Sequence, residues 1–205
     1  MNNGLIKNVV FDVGNVIVRW APLEIVKLTL GEDNASDQLV TEIFQSATWL
    51  DLNKGLLTES QAKSQYQTEL GLSTIECDRL FYYVKHTQLL IFGSVALMER
   101  LKAAGYGIYA LTDNVVEIVT YLKSTYEFWE IFDGAIVSAD IGSLKPEPEI
   151  FNALLSRYSL AAQETVFIDD MPHNVKGAES VGISAIRFKN SDQCEQALKA
   201  IGLSF

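Results

Sequence analysis

The chain has 205 residues, enough for one large domain or for a core with a smaller module, and its 48% hydrophobic content argues against disorder. Its formal net charge is −10 and its lysines and arginines form no cluster, which excludes nucleic acid as a main partner. No apolar run approaches the roughly 18 residues of a membrane span, so no membrane segment is expected.

The N-terminal half predicts one strand followed by helices. Met1-Asn2-Asn3-Gly4 lacks the basic and apolar regions of a signal peptide. Residues 5–11 are rich in valine and isoleucine and predict a strand. Pro22 is typical of a helix start, and residues 37–48 carry apolar side chains at helical spacing, which predicts a single helix there. Two further helix starts are predicted by capping-box patterns, Thr58 with Gln61 and Ser73 ahead of Glu76.

From Gly93 onward the pattern alternates between helices and short apolar strands. An amphipathic helix over residues 95–101 is expected to end near Gly105. Four buried strands are predicted at 108–111, 135–137, 166–168 and 185–188. This alternation predicts an α/β fold, a Rossmann-like open parallel sheet with helices on both faces, interrupted by an all-helical insertion. We assign residues 1–18 and 89–205 to the core and residues 19–88 to the helical cap.

Polar residues follow the predicted strands at the points where ligands bind in such sheets. They are Asp12, the run Thr112-Asp113-Asn114, the loop lysine Lys145, and the pair Asp169-Asp170 with Asn174. Each of these taken alone is typical of a turn or a helix cap. Four such clusters in this order, all meeting at one edge of the sheet, are difficult to attribute to turns.

These residues resemble the motifs of the haloacid dehalogenase-like hydrolases over nearly the whole chain. The strand ending in Asp12 resembles the first motif, Thr112 the second, Lys145-Pro146 the third, and Phe167-Ile168-Asp169-Asp170 with Asn174 the fourth. The helical insertion after the first motif is similar to a C1-type cap. The run Asp12-Val13-Gly14-Asn15-Val16 resembles a bacterial phosphatase branch that includes glucose-1-phosphate phosphatase.

The resemblance implies a Mg²⁺-dependent phosphatase that hydrolyses a small phosphorylated metabolite through an aspartyl-phosphate intermediate. It implies that Asp12 is the nucleophile and that Thr112 and Lys145 complete the catalytic set. The implied Mg²⁺ ligands are Asp12, the Gly14 backbone carbonyl, Asp170 and Asp169, the last either through water or as a group behind the ligands. Asn174 is expected to orient Asp170 or a metal-bound water. Substrate contacts are expected from Thr112, Asp113, Asn114, Lys145 and Asn15.

Gly14 occupies the position where most phosphatases of this family have a second aspartate, which protonates the leaving oxygen. Its absence favours substrates whose leaving group departs without a strong acid, such as a hexose 1-phosphate. A glycine there also suits the tight turn that must follow the nucleophile. Two alternatives stay open: a non-catalytic metabolite-binding or regulatory protein, and a 2-haloacid dehalogenase. The acidic pair Asp169-Asp170 speaks against the dehalogenase, whose site holds no metal.

The remaining predictions concern surroundings rather than chemistry. Cys77 and Cys194 lie outside any CxxC pattern and are expected to be buried thiols, which fits a cytoplasmic location. His173 could belong to the site or to a surface loop. Six aromatic or histidine side chains of the cap are expected either to line a pocket or to fill the cap's own core. They are Trp20, Trp49, Phe81, Tyr82, Tyr83 and His86. The sequence gives no indication of the oligomeric state.

Overall fold

A parallel five-stranded sheet forms the centre of the structure, a computed structural model that describes residues 5–205. The N-terminal tetrapeptide interpreted above lies outside these described residues. The strands follow the order β3-β2-β1-β4-β5, and every pair of neighbours is parallel. Their bounds are β1 (Asn8–Phe11), β2 (Gly107–Thr112), β3 (Gly134–Val137), β4 (Thr165–Asp169) and β5 (Ser184–Arg187). The predicted open parallel sheet is confirmed.

Side chains alternate between the two faces of the sheet, and each face packs against its own apolar cluster. On β1, Val9 and Phe11 belong to the larger cluster and Val10 to the smaller one. Helices α6 (Ser94–Ala103), α7 (Val116–Thr125) and α11 (Ser191–Ala200) contribute to the larger cluster. Helices α9 (Pro148–Tyr158) and α10 (Pro172–Ser180) contribute to the smaller one, and the short α8 (Ser138–Ile141) follows β3. Helices on both faces are therefore confirmed.

The segment between β1 and α6 is helical, as predicted. Its helices are α1 (Pro22–Leu30), α2 (Asp37–Phe44), α3 (Ala47–Asn53), α4 (Glu59–Leu70) and α5 (Thr74–His86). Both predicted capping boxes form, at Thr58 and at Ser73. The single helix predicted over residues 37–48 is wrong, because the chain breaks at Ser46, whose extended backbone lets its side chain accept from the Trp49 N–H and begin α3. The division into residues 1–18 with 89–205 and residues 19–88 stays a prediction.

The larger cluster extends from the sheet into the inserted helices without interruption. Ile25, Ile43, Tyr66 and Leu80 of the insertion share it with the β1 residues. Cys77 and Cys194 are both buried free thiols, as expected. Among residues 5–205, no helix combines the length and the apolar character needed to cross a membrane.

Candidate active site

The register of the sheet brings the polar strand ends together. Phe11 pairs with Ala110 on one side and with Ile168 on the other, so the residues after these three positions meet at one edge. The Asp12 backbone N–H continues the ladder by donating to Ile168 O at 2.9 Å. Asp12 therefore lies next to Asp169, the last residue of β4, at the carboxyl edge of the sheet.

Lys145 connects the loops at this edge. Its ammonium nitrogen lies 2.8 Å from Asp12 Oδ1 and 2.8 Å from Asp169 Oδ2, and only 1% of its side chain is exposed. The same nitrogen donates to Leu111 O at 3.3 Å, and the Lys145 backbone N–H donates to Asp113 Oδ1 at 3.0 Å. One lysine thus contacts residues at the carboxyl ends of β1, β2 and β4.

Burial dominates the electrostatics of this group. It raises the pKa of Asp12 to about 8, against the lowering effect of the Lys145 charge and with a further raising effect from Asp169. Burial alone would lower the pKa of Lys145, but the charges of Asp12, Asp169 and Asp113 raise it well above the ordinary value. Burial, followed by the charge of Asp169, also raises the pKa of Asp170. One ammonium therefore does not compensate all of these carboxylates.

The carboxylate of Asp169 is fully occupied by protein donors. Besides Lys145, it accepts from the Met171 N–H at 2.8 Å and from Asn174 Nδ2, which lies 3.1 Å from Oδ1 and 3.0 Å from Oδ2. Among the described residues, the Asn174 amide therefore donates to Asp169 rather than to Asp170, which was one of the two partners that the sequence interpretation offered. Because Nδ2 must face the carboxylate, Asn174 Oδ1 is turned away from it. Within the described residues, Oδ1 is buried and has no hydrogen-bond partner.

Asp170 is held from the first loop by Asn15. Asn15 Nδ2 donates to Asp170 Oδ2 at 3.3 Å, while Asn15 Oδ1 accepts from the Trp20 N–H at 2.9 Å. Asn15 has a φ of 54°, in the left-handed region that an asparagine tolerates better than most residues. Gly14 does not have a positive φ. The left-handed turn after the nucleophile therefore depends on Asn15.

These groups offer a fitting set of oxygens for a hard divalent cation. One carboxylate oxygen from each of Asp12, Asp169 and Asp170 lies within 4.8 Å of the others. Burial, with the charge of Asp169, raises the pKa values of Asp12 and Asp170, and a cation bound between them would lower both. The buried Asn174 Oδ1 has no partner among the described residues and would accept a hydrogen bond from a water bound to such a cation. Since Asp169 is already saturated, Asp12 and Asp170 are the better placed direct ligands.

The loop after β2 separates Thr112 from the next helix. Thr112 is the last residue of β2 and is 1% exposed, but α7 begins only at Val116, so Thr112 does not lie at the helix N-terminus. Asn114 shapes the intervening loop: its Oδ1 accepts from the Val115 N–H, and its own N–H donates to Ser138 Oγ at 2.9 Å. Ser138 was not singled out from the sequence, in which it is an ordinary serine after a strand.

Ser138 also connects the sheet to the inserted helices. It is fully buried, and its hydroxyl donates to Asn53 O of α3 at 2.6 Å. An ion pair of 3.0 Å joins Lys54, next in the chain, to Glu147 in the loop that carries Lys145. Residues 53–54 of the insertion are therefore fixed to the loops that build the site.

A cavity of about 370 Å³ opens over Asp12, Lys145 and Asp170. Trp20, Trp49 and His173 line it, whereas Phe81 is buried in the cap and Tyr82 is exposed, with its ring stacked on His86. The sequence did not single out several other lining residues, namely Phe44, Leu50, Asn53, Gln88, Ile118 and Met171. They follow no motif, because they come from separate elements that only the folded chain brings together.

A family model for haloacid dehalogenase-like hydrolases matches residues 6–182. The sesquiterpene phosphatase astK of Aspergillus oryzae is 26% identical over 185 residues, which cover 90% of this chain and 91% of that protein. The D-ribitol-5-phosphate phosphatase of Bacteroides thetaiotaomicron is 26% identical, with 96% of this chain and 98% of that protein covered.

Among solved structures, the HAD family enzyme bt-2542 of Bacteroides thetaiotaomicron, in complex with magnesium and inorganic phosphate, has the same fold. The TM-score is 0.76 at 23% sequence identity, with 90% of this chain and 95% of that chain covered.

Proposed function

We propose that this chain, which belongs to the haloacid dehalogenase-like hydrolase family and is a phosphatase, hydrolyses a small phosphate monoester with Asp12 as nucleophile and Mg²⁺ as cofactor. Family membership rests on the match over residues 6–182. Two relatives that align with nearly the whole chain are named as a sesquiterpene phosphatase and a D-ribitol-5-phosphate phosphatase, and both names refer to small molecules.

The observation that carries the proposal is the asymmetric environment of the Asp12 carboxylate. Oδ1 is fixed by Lys145 Nζ at 2.8 Å and by the Val13 N–H at 2.7 Å. Oδ2 accepts no hydrogen bond from any described residue, and Asp12 lines the cavity. Lys145 lowers the pKa of Asp12 against the larger raising effect of burial, and a bound cation would lower it further. Because Oδ1 is held by Lys145 and Val13, the free Oδ2 is the oxygen that attacks phosphorus.

In the first step, the bond between Oδ2 and phosphorus forms while the bond to the leaving oxygen breaks. Water then attacks phosphorus, which releases inorganic phosphate and restores the Asp12 carboxylate. The positive charge of Lys145 stabilises the phosphoryl oxygens during both steps, and the Asp113 and Asn114 segment and Asn15 line the same cavity. Thr112 is 1% exposed and is not among the residues that line the cavity.

The residues that would hold Mg²⁺ are Asp12, Asp170 and the Gly14 backbone carbonyl. Asp169 positions Lys145 and Asn174 by accepting hydrogen bonds from both, and Asn174 Oδ1 would accept a hydrogen bond from a water bound to the ion. The bound ion supplies positive charge that neutralises the carboxylates and the phosphoryl group. The bt-2542 structure with magnesium and phosphate supports this choice of ion.

Gly14 constrains the substrate. It provides no acid for the leaving oxygen, and within the described chain Asn15, whose amide is engaged by Asp170 and Trp20, does not replace it. The substrate is therefore an ester whose oxygen departs with little protonation. A hexose 1-phosphate meets this requirement on chemical grounds.

The decisive test is phosphate release from a panel of sugar phosphates, nucleotides and phosphoacids. We expect release with Mg²⁺, loss of release with EDTA, and loss by at least about 10³-fold in Asp12→Asn, which keeps the shape but removes the nucleophile. Phosphate binding without any turnover would instead identify a non-catalytic binding protein. Halide release from a 2-haloacid in EDTA would identify a dehalogenase.

A further inference from the structure

The cavity over Asp12 has two chemically different sides. The core side carries Asp12, Lys145 and Asp170, which the proposed function uses. The other side is built by Trp20 and by residues of α2 and α3. At about 370 Å³, the cavity accommodates a small metabolite, and its second side determines which alcohol can accompany the phosphate.

The second side is a rigid aromatic wall. Trp20 and Trp49 stack with their ring centroids 5.8 Å apart at an angle of 18°. Phe44 meets both rings edge-on, at 5.1 Å from Trp20 and 5.0 Å from Trp49. Because each ring restrains the other two, the wall does not need to rearrange when a substrate enters.

Two further apolar side chains of the lining are exposed. Leu50 and Met171 each have 43% of their surface accessible although both line the cavity. Exposed apolar surface that borders a binding cavity gains free energy when a ligand covers it, and an apolar ligand does so without losing hydrogen bonds.

The amide side chains on this side are already partly engaged. Asn53 Nδ2 donates to Trp49 O at 2.8 Å, and Gln88 Nε2 donates to Val84 O at 2.9 Å, each one turn earlier in the chain. Each amide therefore keeps one N–H donor and its oxygen for a ligand. A polyhydroxylated alcohol carries more hydroxyl groups than two partly engaged amides satisfy, so it would lose hydrogen bonds to water on this side of the cavity.

Gly14 adds an independent constraint, because the leaving oxygen must depart without an acid from that position. The pKa of a phenol is about 10, whereas that of water, the nearest reference for a simple alkoxide, is about 15.7. An aryl oxygen thus departs without protonation far more readily than an alkyl oxygen.

We propose that the substrate is a phosphate monoester of an aromatic alcohol, an aryl phosphate whose ring packs against Trp20, Trp49 and Leu50. This inference rests on the proposed function and narrows it, because it prefers an apolar, flat leaving group to the hexose. The water that completes hydrolysis supplies the proton of the released phenol and the oxygen of the released phosphate.

The test compares esters in matched pairs with Mg²⁺. Phenyl phosphate against glucose 1-phosphate tests the whole proposal. Benzyl phosphate against glucose 6-phosphate keeps a primary alkyl oxygen in both esters, so it isolates the apolar contact from the reactivity of the leaving group. We expect kcat/KM to favour the aromatic ester by roughly tenfold or more in each pair.

Two variants connect this preference to the wall. Trp49→Ala removes its centre, and Leu50→Asn makes it polar at a half-exposed position that folding tolerates. Each is expected to reduce the ratio of kcat/KM for benzyl phosphate to kcat/KM for glucose 6-phosphate by roughly tenfold, mainly by raising KM for benzyl phosphate. Leu56→Asn is the matched control, because Leu56 is 65% exposed and does not line the cavity, so its ratio should equal that of the wild type.

The outcomes separate the two proposals. A preference for either glucose ester, or an unchanged ratio in Leu50→Asn, overturns the aryl proposal and leaves the phosphatase intact. Cyclohexylmethyl phosphate turned over as well as benzyl phosphate also overturns it, because the wall would then select apolar bulk rather than a ring. No phosphate release from any ester overturns the proposed function itself.

Discussion

Gly14→Asp tests whether the missing acid limits this enzyme. The position has room: a Cβ built on Gly14 has Trp20 Cβ, at 4.0 Å, as its nearest contact among the described residues. Its φ is also outside the left-handed region, so a side chain causes no backbone strain. The nearby charges of Asp12, Asp169 and Asp170 raise the pKa of the new carboxyl and favour its protonated form, which is the form that donates.

The size of the effect follows from general acid catalysis, which is worth about 10²–10⁴ in rate, or roughly 3–5 kcal/mol of the barrier. The new carboxyl lacks supporting hydrogen bonds, so we expect the lower end, a rise of about 10–100-fold in kcat for alkyl phosphates. Aryl phosphates should gain less than about threefold, since their oxygen already departs as a weak base.

The assay is a series of phosphate esters with leaving groups of increasing pKa, measured by phosphate release at saturating Mg²⁺. Gly14→Asp should flatten the dependence of kcat on the leaving-group pKa. In Gly14→Asn the new side chain has the same size as aspartate but no acidic proton, so this variant should keep the steep wild-type dependence of kcat on the leaving-group pKa. Equal effects of Asp and Asn, or an equal gain for aryl and alkyl esters, would refute the reasoning.

Lys145→Met leaves the buried Asp12 and Asp169 without their shared counter-ion, so the free energy of unfolding in urea should fall by about 3–5 kcal/mol, and a loss under about 1 kcal/mol would contradict the buried bridge. Ser138→Ala leaves the Asn114 N–H and the Asn53 carbonyl without this hydrogen-bond partner and should lower the free energy of unfolding by about 1–3 kcal/mol in the same assay, with Ser204→Ala as an exposed control. In EDTA, the raised pKa of Asp12 means that the native state binds more protons than the unfolded state between about pH 4 and 8. The free energy of unfolding should therefore decline as pH rises above about 5, and Mg²⁺ should flatten the decline; a profile that rises in EDTA would contradict it.

The sheet and the convergence of the strand ends could be predicted because both depend on local patterns. Short apolar runs separated by helices require parallel crossover connections, and parallel strands bring their carboxyl ends to one edge. The break at Ser46 was missed because apolar spacing continues across it, while the cap hydrogen bond to Trp49 that interrupts the helix leaves only a weak sequence signal.

Partners between distant parts of the chain could not be predicted. Asn174 was expected to orient Asp170 or a metal-bound water, but both oxygens of Asp169 accept from its amide in the structure. The contact of Ser138 with Asn53 joins positions 85 residues apart, and Lys54 with Glu147 joins positions 93 apart. Such contacts depend on how the inserted helices lie over the sheet, which no local pattern specifies.

Gly14 and Asn15 show how the structure changes the interpretation of a motif. From the sequence, Gly14 had both a turn and a chemical explanation. The turn explanation weakens, because Asn15 is the residue with positive φ and the space beside Gly14 is open. A side chain is therefore tolerated at position 14 on steric grounds. Asn15 in turn holds both Asp170 and the Trp20 backbone, so the same dipeptide that omits the acid fixes a proposed metal ligand and the backbone that carries the first residue of the aromatic wall. The proposed leaving-group preference and the position of the Trp20 backbone thus depend on adjacent residues.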